Sequence, residues 1–108
     1  MTDLVDWTQP LARNWILAET TKPIGCIMVN FGAPFGRLEY LMILPDLPSY
    51  VQHKVLRNLS YAGAAQLKKY GSQVVNFDVR STDSAWRAVW ERRGAVCVGS
   101  GNFFVKKV

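Results

Sequence analysis

The chain has few of the residues that build metal centres or disulfide frameworks. Its 108 residues include two cysteines and one histidine. Cys26, Cys97 and His53 therefore fall short of the about four soft ligands that a structural zinc site needs. We expect both cysteines to be small buried hydrophobic residues, with a disulfide between them or a nucleophilic cysteine as the alternative. The sequence thus predicts no metal site and a reduced, intracellular setting.

Long apolar runs are also missing. Runs such as residues 25–29 and 41–45 are far shorter than the roughly 18 residues that cross a bilayer. The N-terminus carries Asp3 and Asp6 and no basic segment, so we expect no secretory signal. These absences predict a cytoplasmic protein that does not enter a membrane.

Hydrophobic residues are plentiful, at 49% of the chain, which is enough to form a core. At 12.2 kDa the chain has the size of one domain. We expect a single domain over residues 1–108, in which residues 1–14 are a loose lead-in. Trp7 and Leu11 could anchor this segment, while Pro10 disfavours regular structure there.

The net charge of +5 is unevenly distributed. Up to His53 there are three basic and five acidic residues, a balance of −2, whereas the rest of the chain has ten basic and three acidic residues, a balance of +7. Such polarity favours an anionic partner. An acidic protein surface, a phosphate-bearing ligand and a nucleic acid all fit this description.

The pattern of apolar residues and turn residues predicts six strands and two helices. In chain order these are strands at residues 15–19, 24–31 and 37–44, a helix at 50–70, a strand at 74–79, a helix at 83–93, and strands at 95–98 and 102–107. The order β-β-β-α-β-α-β-β predicts an α+β fold with a mixed sheet, because three strands joined by short turns pair antiparallel and a strand-helix-strand passage pairs parallel. In the third strand, Leu38, Tyr40, Met42 and Leu44 should share one face.

The long helix has an apolar half and a polar half. The residues of the apolar half are Val51, Val55, Leu56, Leu59, Ala62, Gly63, Leu67 and Tyr70. Gly71 is well placed to end this helix, and Gly94 to end the second one. Ser81, Thr82 and Asp83 can each cap the second helix, whose core stripe is Trp86, Val89 and Trp90. The Gly99-Ser100-Gly101 segment predicts a hairpin turn before the last strand.

This order of elements over residues 15–108 resembles the GNAT superfamily of N-acetyltransferases. The run at residues 38–45 looks like the family's central strand, and the 21-residue helix followed by an apolar strand is similar to its long helix and next strand. The segment at residues 83–95 is similar to the family's penultimate helix, with Glu91 and Gly94 in matching places. The resemblance implies a GNAT-like fold, truncated in front. Small acyltransferase-like proteins of tailed bacteriophages are similar too, which would place the chain in a host cytoplasm or a virion.

The chain departs from the family in the loop that precedes the long helix. There the family has a glycine-rich motif whose backbone N–H groups and helix N-terminus hold the coenzyme A pyrophosphate. The corresponding residues here are Pro48, Ser49, Tyr50, Val51, Gln52 and His53. Proline has no N–H, and a branched valine would crowd a phosphate. We therefore expect no cofactor, and acetyl-CoA only if the loop works in a non-standard way.

The family's frequent general acid, a tyrosine in the penultimate helix, is replaced by Trp90, whose indole N–H does not titrate usefully. Glu39 on the central strand is the candidate general base if the chain is active, although a surface carboxylate is the simpler interpretation. Tyr50 is the candidate substitute acid, although amphipathic packing would equally explain it.

Three functions therefore stay open. The leading hypothesis is a degenerate acyltransferase-like domain that serves as a non-catalytic interaction or assembly module, as in a phage structural protein. The alternatives are an acyl-CoA-dependent N-acetyltransferase and a basic binder of polyanions or nucleic acid. Lys54, Arg57 and Lys68 share the exposed side of the long helix and are the candidate contacts for an acidic partner. A homo-oligomer or larger assembly would also fit the module hypothesis.

Overall fold

Seven strands form one sheet, and two helices lie on it. The computed structural model describes residues 8–12, 14–79, 84–98 and 102–108. The elements, in chain order, are β1 (Thr8–Ala12), β2 (Trp15–Glu19), β3 (Pro23–Asn30), β4 (Phe35–Ile43), α1 (Ser49–Lys69), β5 (Val74–Asp78), α2 (Ser84–Arg92), β6 (Val96–Val98) and β7 (Phe103–Lys107). From β2 onward this is the predicted order, and the predicted α+β class is confirmed. Some predictions fall on residues outside the described ones: Trp7, the helix caps at residues 81–83 and the turn at residues 99–101. The side chain of Leu11 also lies outside the described part of the structure.

The first strand corrects the prediction of a loose N-terminal lead-in. Thr8–Ala12 pairs antiparallel with β2, and its Pro10 lies opposite Ile16. Proline removes one ladder hydrogen bond, which is tolerated on an edge strand because its other side faces away from the sheet. β1 is such an edge, so Pro10 does not prevent pairing there.

The strand order in space is β1-β2-β3-β4-β5-β7-β6. All neighbours pair antiparallel except β4 and β5, which pair parallel and are connected through α1. This confirms the predicted meander and crossover. The parallel pairing covers only residues 35–37 of β4 and 74–76 of β5, so the later half of β4 diverges from β5.

A β-bulge in β4 overturns the prediction that Leu38, Tyr40 and Met42 share a face. Val29 of β3 pairs with Leu38 and the preceding Met28 pairs with Tyr40, so Glu39 is an extra residue. One extra residue reverses the alternation of every side chain beyond it. Leu38 is therefore buried in the core, whereas Tyr40 and Met42 are more than half exposed on the opposite side.

Both helices cover the same face of the sheet. In α1 the buried apolar residues are Val55, Leu56, Leu59 and Leu67, and a Cβ added to Gly63 would lie 2.8 Å from the Leu38 side chain, so the helix backbone sits close to β3 and β4. In α2, Trp86 and Trp90 are buried against Phe77 of β5, with ring centroids 5.6 and 4.6 Å apart. Phe77 in turn stacks on Phe104 of β7.

The helix ends follow the predicted glycines. Gly71 and Gly94 have φ values of 102° and 87°, a conformation that glycine adopts without a steric penalty. Tyr70 was predicted to face the core but is 43% exposed, because it is the C-terminal cap of α1. Cys97 was predicted to be buried and is exposed on the edge strand β6, whereas Cys26 is half-buried, and both are free thiols. Within the described residues, neither helix combines the length and apolarity needed to cross a membrane.

Candidate functional site

The loop before α1 is held by the side chain of Gln52 and contains two prolines. The side-chain amide of Gln52 donates to the backbone oxygens of Pro45 and Leu47, at 3.0 and 2.7 Å. Pro48 is the N-cap residue and makes no side-chain cap hydrogen bond. Pro45 and Pro48 have no N–H, and Asp46 adds a negative charge between them. A phosphate needs N–H donors and positive charge, so this loop does not fit a coenzyme A pyrophosphate.

The other residues of the predicted degenerate loop lie in the first turn of α1. Ser49 is its first residue, Tyr50 is 65% exposed, Val51 is half-buried, and His53 is exposed. The backbone N–H groups of Val51 and Gln52 donate to the oxygen of Pro48 and are therefore not available to a ligand. Tyr50 extends into solvent from the start of the helix.

Glu39, the candidate general base, is already hydrogen-bonded. One of its carboxylate oxygens accepts from the side-chain amide of Asn30 at 2.8 Å and lies 3.1 Å from Nε of Arg37. The guanidinium of Arg37 also donates to Asn76, at 3.0 Å, and pairs with Asp78. These residues form a polar cluster that joins β4 to β5 where the two strands begin to diverge.

Trp90 stands where the resemblance implies a catalytic tyrosine, and its indole is enclosed. The residue is 2% exposed, and its N–H has no hydrogen-bond partner among the described residues. The nearby Tyr61 ring meets the indole edge-on at 6.2 Å, and the Tyr61 hydroxyl accepts a hydrogen bond from Arg93 at 2.9 Å. Neither side chain presents a free acid to a ligand.

A cationic groove lies between the two helices. We use this name for a depression of about 250 Å³ whose basic residues are His53, Lys54 and Arg57 of α1 and Arg92 of α2. Its remaining lining residues are Leu56, Ala85, Ala88 and Val89. Because α1 packs on β3 and β4 while α2 packs on β5 and β7, the groove lies over the place where β4 and β5 diverge.

The groove contains two of the three predicted partner contacts. Lys54 and Arg57 line it, whereas Lys68 lies fourteen residues further along α1, about 21 Å away along the helix axis. Arg92 was missed, although Ala85, Val89 and Arg92 recur at helical spacing and so share one side of α2. The small side chains of Ala85 and Ala88 on that side of α2 could have indicated that another helix packs there. Among the described residues, no three His, Cys, Asp or Glu side chains cluster as metal ligands would.

The fold defines the class of protein that the chain resembles in three dimensions. Its architecture is that of the GNAT-family N-acetyltransferases, which the structural neighbours below share. No protein-family model matches the sequence, and no curated protein sequence matches it. The likeness therefore rests on structure.

Three solved structures illustrate it. The PaiA N-acetyltransferase of Thermoplasma acidophilum, in complex with coenzyme A, has a TM-score of 0.69 and 21% identity over 87% of this chain and 60% of that one. An acetyltransferase of Bacillus cereus ATCC 14579 has a TM-score of 0.71 and 17% identity, over 100% and 80%. A GNAT-family acetyltransferase, described as putative, from Desulfovibrio desulfuricans has a TM-score of 0.66 and 14% identity, over 86% and 67%. The chain thus spans three fifths of the length of the T. acidophilum protein.

Proposed function

We propose that the chain is a GNAT-fold module that binds a partner and does not transfer acyl groups. The observation that carries this proposal is the loop before α1. Pro48, which has no N–H, and a Gln52 amide bound to two loop carbonyls occupy the place where the resemblance implies a phosphate cradle, and Asp46 adds a carboxylate two residues before it. A pyrophosphate placed there would meet oxygen acceptors and a like charge.

The candidate catalytic groups support the same proposal. A general acid must reach the leaving group, but the Trp90 indole is buried and does not ionise. Tyr50 projects into solvent, and Glu39 already accepts hydrogen bonds from Asn30 and Arg37. None of these three candidates combines a free proton-transfer group with an enclosed site.

The partner that we propose is an acidic protein surface, bound at the cationic groove. Lys54, Arg57 and Arg92 supply basic side chains there, and Ala88 and Val89 supply apolar ones. Such a groove can take a carboxylate side chain with its methylene stem. A longer polyanion could bind the same positive charges. The experiment below therefore also tests the hypothesis that the partner is a polyanion. The origin in a bacteriophage stays a prediction.

The test compares ligands on wild type and on two triple variants. The groove variant is Lys54→Glu, Arg57→Glu, Arg92→Glu, and the control is Lys68→Glu, Lys69→Glu, Lys106→Glu, which makes the same change of charge outside the groove. We expect a polyglutamate peptide to bind wild type and the control, to bind the groove variant weakly or not at all, and to weaken with salt, because screening acts over about 8–10 Å. Equal binding by all three proteins would contradict the proposal, and tighter binding of single-stranded DNA than of the peptide would favour a nucleic-acid partner.

Acyl-CoA-dependent N-acetylation is the second candidate, and the cationic groove is the observation that favours it. Its charges could hold phosphates that the loop cannot, and the T. acidophilum neighbour is a complex with coenzyme A. Acetyl-CoA at a hundred times its dissociation constant would stabilise the fold by about 2.7 kcal/mol. Stabilisation of wild type but not of the groove variant, together with turnover that is lost in Glu39→Gln or Tyr50→Phe, would establish this candidate and overturn the first.

A further inference from the structure

The side of the sheet that faces away from the helices, here called the outer face, is rich in exposed apolar residues. Strand alternation and the cross-strand pairs place on it Phe35, Tyr40, Met42, Val96, Val98 and Phe103, each 37–60% exposed. Among the described residues, the large exposed apolar residues elsewhere are only Tyr50, in the first turn of α1, and Tyr70, at its C-terminal cap. Monomeric proteins rarely expose more than a few hundred Å² of contiguous apolar surface, so the outer face requires an explanation.

The outer face has two apolar areas. On β2 to β4, Leu17 pairs with Cys26 and Cys26 pairs with Met42, and these three side chains border an apolar depression of about 250 Å³. On β6 and β7, Val96 pairs with Val105 and Val98 pairs with Phe103. The polar cluster around Arg37 lies between the two areas.

Every charged group of the polar cluster has a partner, although its two carboxylates exceed its one guanidinium by one charge. Arg37 bonds Asn76, Asp78 and Glu39, and Glu39 also accepts from Asn30. Burying an unpaired charge is costly, whereas a paired and hydrogen-bonded group tolerates burial far better. The cluster therefore does not prevent a second layer from packing on this face.

We propose that two copies of the chain pack against each other through their outer faces, sheet on sheet. Seven strands about 4.8 Å apart span roughly 29 Å, and strands of three to nine residues run for roughly 10–30 Å. A corrugated surface of that size approaches the roughly 800 Å² per partner of a standard interface. The chain is only 20 Å thick in its shortest dimension, which corresponds to one sheet and one helix layer of about 10 Å each.

Self-complementarity favours a second copy as the occupant. The chain carries +5, and Arg37, Glu39 and Asp78 give the centre of the outer face a charge of −1, so charge opposes the pairing of two copies and added salt should strengthen it. A twofold interface must match itself, and two apolar areas around a self-satisfied centre meet that condition. The cationic groove lies on the opposite side of the sheet and stays open in this dimer. The inference therefore goes beyond the proposed function and does not depend on it.

The first experiment measures molar mass by light scattering and sedimentation at micromolar concentration. Wild type should have twice the 12.2 kDa of the chain, and Tyr40→Glu should have the mass of one chain with an unchanged circular dichroism spectrum. The matched control is Tyr50→Glu, since Tyr50 is 65% exposed and Tyr40 is 59% exposed, and it should remain a dimer. A folded, dimeric Tyr40→Glu would overturn the proposal. A monomeric wild type would overturn it as well, and would indicate a different protein on this face.

The second experiment uses the two thiols. Cys26 lies on the outer face, whereas Cys97 pairs with Phe104, which is buried beneath α2, so the Cys97 thiol is on the helical side. We expect alkylation of Cys26 to slow about twofold when the protein concentration equals the dimer dissociation constant and about tenfold at roughly fifty times that concentration, while Cys97 reacts at a constant rate. Tyr40→Glu should abolish this dependence on concentration. A Cys26 rate that is the same at all concentrations in wild type would contradict the dimer.

Discussion

The two faces of the sheet are built from alternating residues of the same strands, yet they differ sharply. On the helical side, Ile27, Val29 and Leu38 are at most 2% exposed, and α1 approaches so closely that Gly63 has no room for a Cβ. On the outer face, Tyr40 and Met42 of the same strands are more than half exposed. Apolar residues on a face of the sheet thus indicate that burial of that face is favourable. The position of the helices decides which of the two faces is buried within the chain.

The strongest test of this difference replaces one buried leucine. Leu59 is fully buried in α1, and Leu59→Ala should lower the free energy of unfolding by about 2–5 kcal/mol, through lost burial and a cavity. Met42→Ala on the outer face, measured by urea denaturation at a concentration where the chain is monomeric, should change it by less than about 0.5 kcal/mol. Equal losses for the two variants would mean that the faces do not differ in packing.

A smaller effect tests how closely α1 approaches the sheet. A Cβ on Gly63 would lie 2.8 Å from Leu38, 3.3 Å from Ile27 and 3.4 Å from Val29. Overpacking costs about 1–3 kcal/mol, whereas alanine gains about 1 kcal/mol over glycine in a helix. Gly63→Ala should therefore be destabilising by about 1 kcal/mol in urea. Ala65→Gly at an exposed position of α1 serves as the control for helix propensity alone, and a stabilising Gly63→Ala would show that the helix has room to spare.

The two tryptophans of α2 provide a finer comparison on the helical side. The Trp86 indole donates to the Ser60 hydroxyl at 2.8 Å, whereas the buried Trp90 indole has no partner among the described residues. A double-mutant cycle with Ser60→Ala should give a coupling of about 1 kcal/mol for Trp86→Phe. The same cycle with Trp90→Phe should give a coupling near zero. A larger coupling for Trp90 would reverse the assignment of the hydrogen bond.

The smallest expected effect concerns the pH dependence of the thiols. Burial raises the pKa of the Cys26 thiol, so less of it is thiolate at a given pH, and the thiolate is the reactive form. In the monomeric Tyr40→Glu variant, alkylation of Cys26 should therefore begin to rise at a higher pH than alkylation of the same thiol in the protein unfolded by urea. Because the folded state holds the Cys26 proton more tightly, this thiol contributes stability below its unfolded pKa that is lost as the pH rises through the folded value. Identical pH profiles for Cys26 in the folded and the unfolded protein would contradict the burial of Cys26.

The long helix and the element order were predictable because their signals are local. Pro48 before α1 and Gly71 after it mark its ends within one residue. Two features were not predictable by the same means. The rule that alternate residues share a face fails at Glu39, because a bulge is defined by the partner strand. The edge position of β1, which makes Pro10 tolerable, likewise depends on strand order in space.

The candidate site was predictable only in part, for a related reason. A helical wheel of α1 alone predicts that Lys54 and Arg57 share an exposed side. Arg92 lies near them only because α2 packs beside α1. The departure from the family's glycine-rich motif was visible in the residues themselves, since Pro48 has no N–H in any fold. The role of Gln52, whose amide binds two loop carbonyls, required the structure.

The short parallel pairing between β4 and β5 has a consequence for folding. Strands β1 to β4 are connected by short turns and can form early, because closing a short loop costs little entropy. The pairs that join them to β5 connect residues 39 positions apart, as in Phe35 with Val74, and involve only three residues in each strand. We expect the chain to fold as an early antiparallel meander that the later half joins last, and the same boundary to open first when the native protein fluctuates.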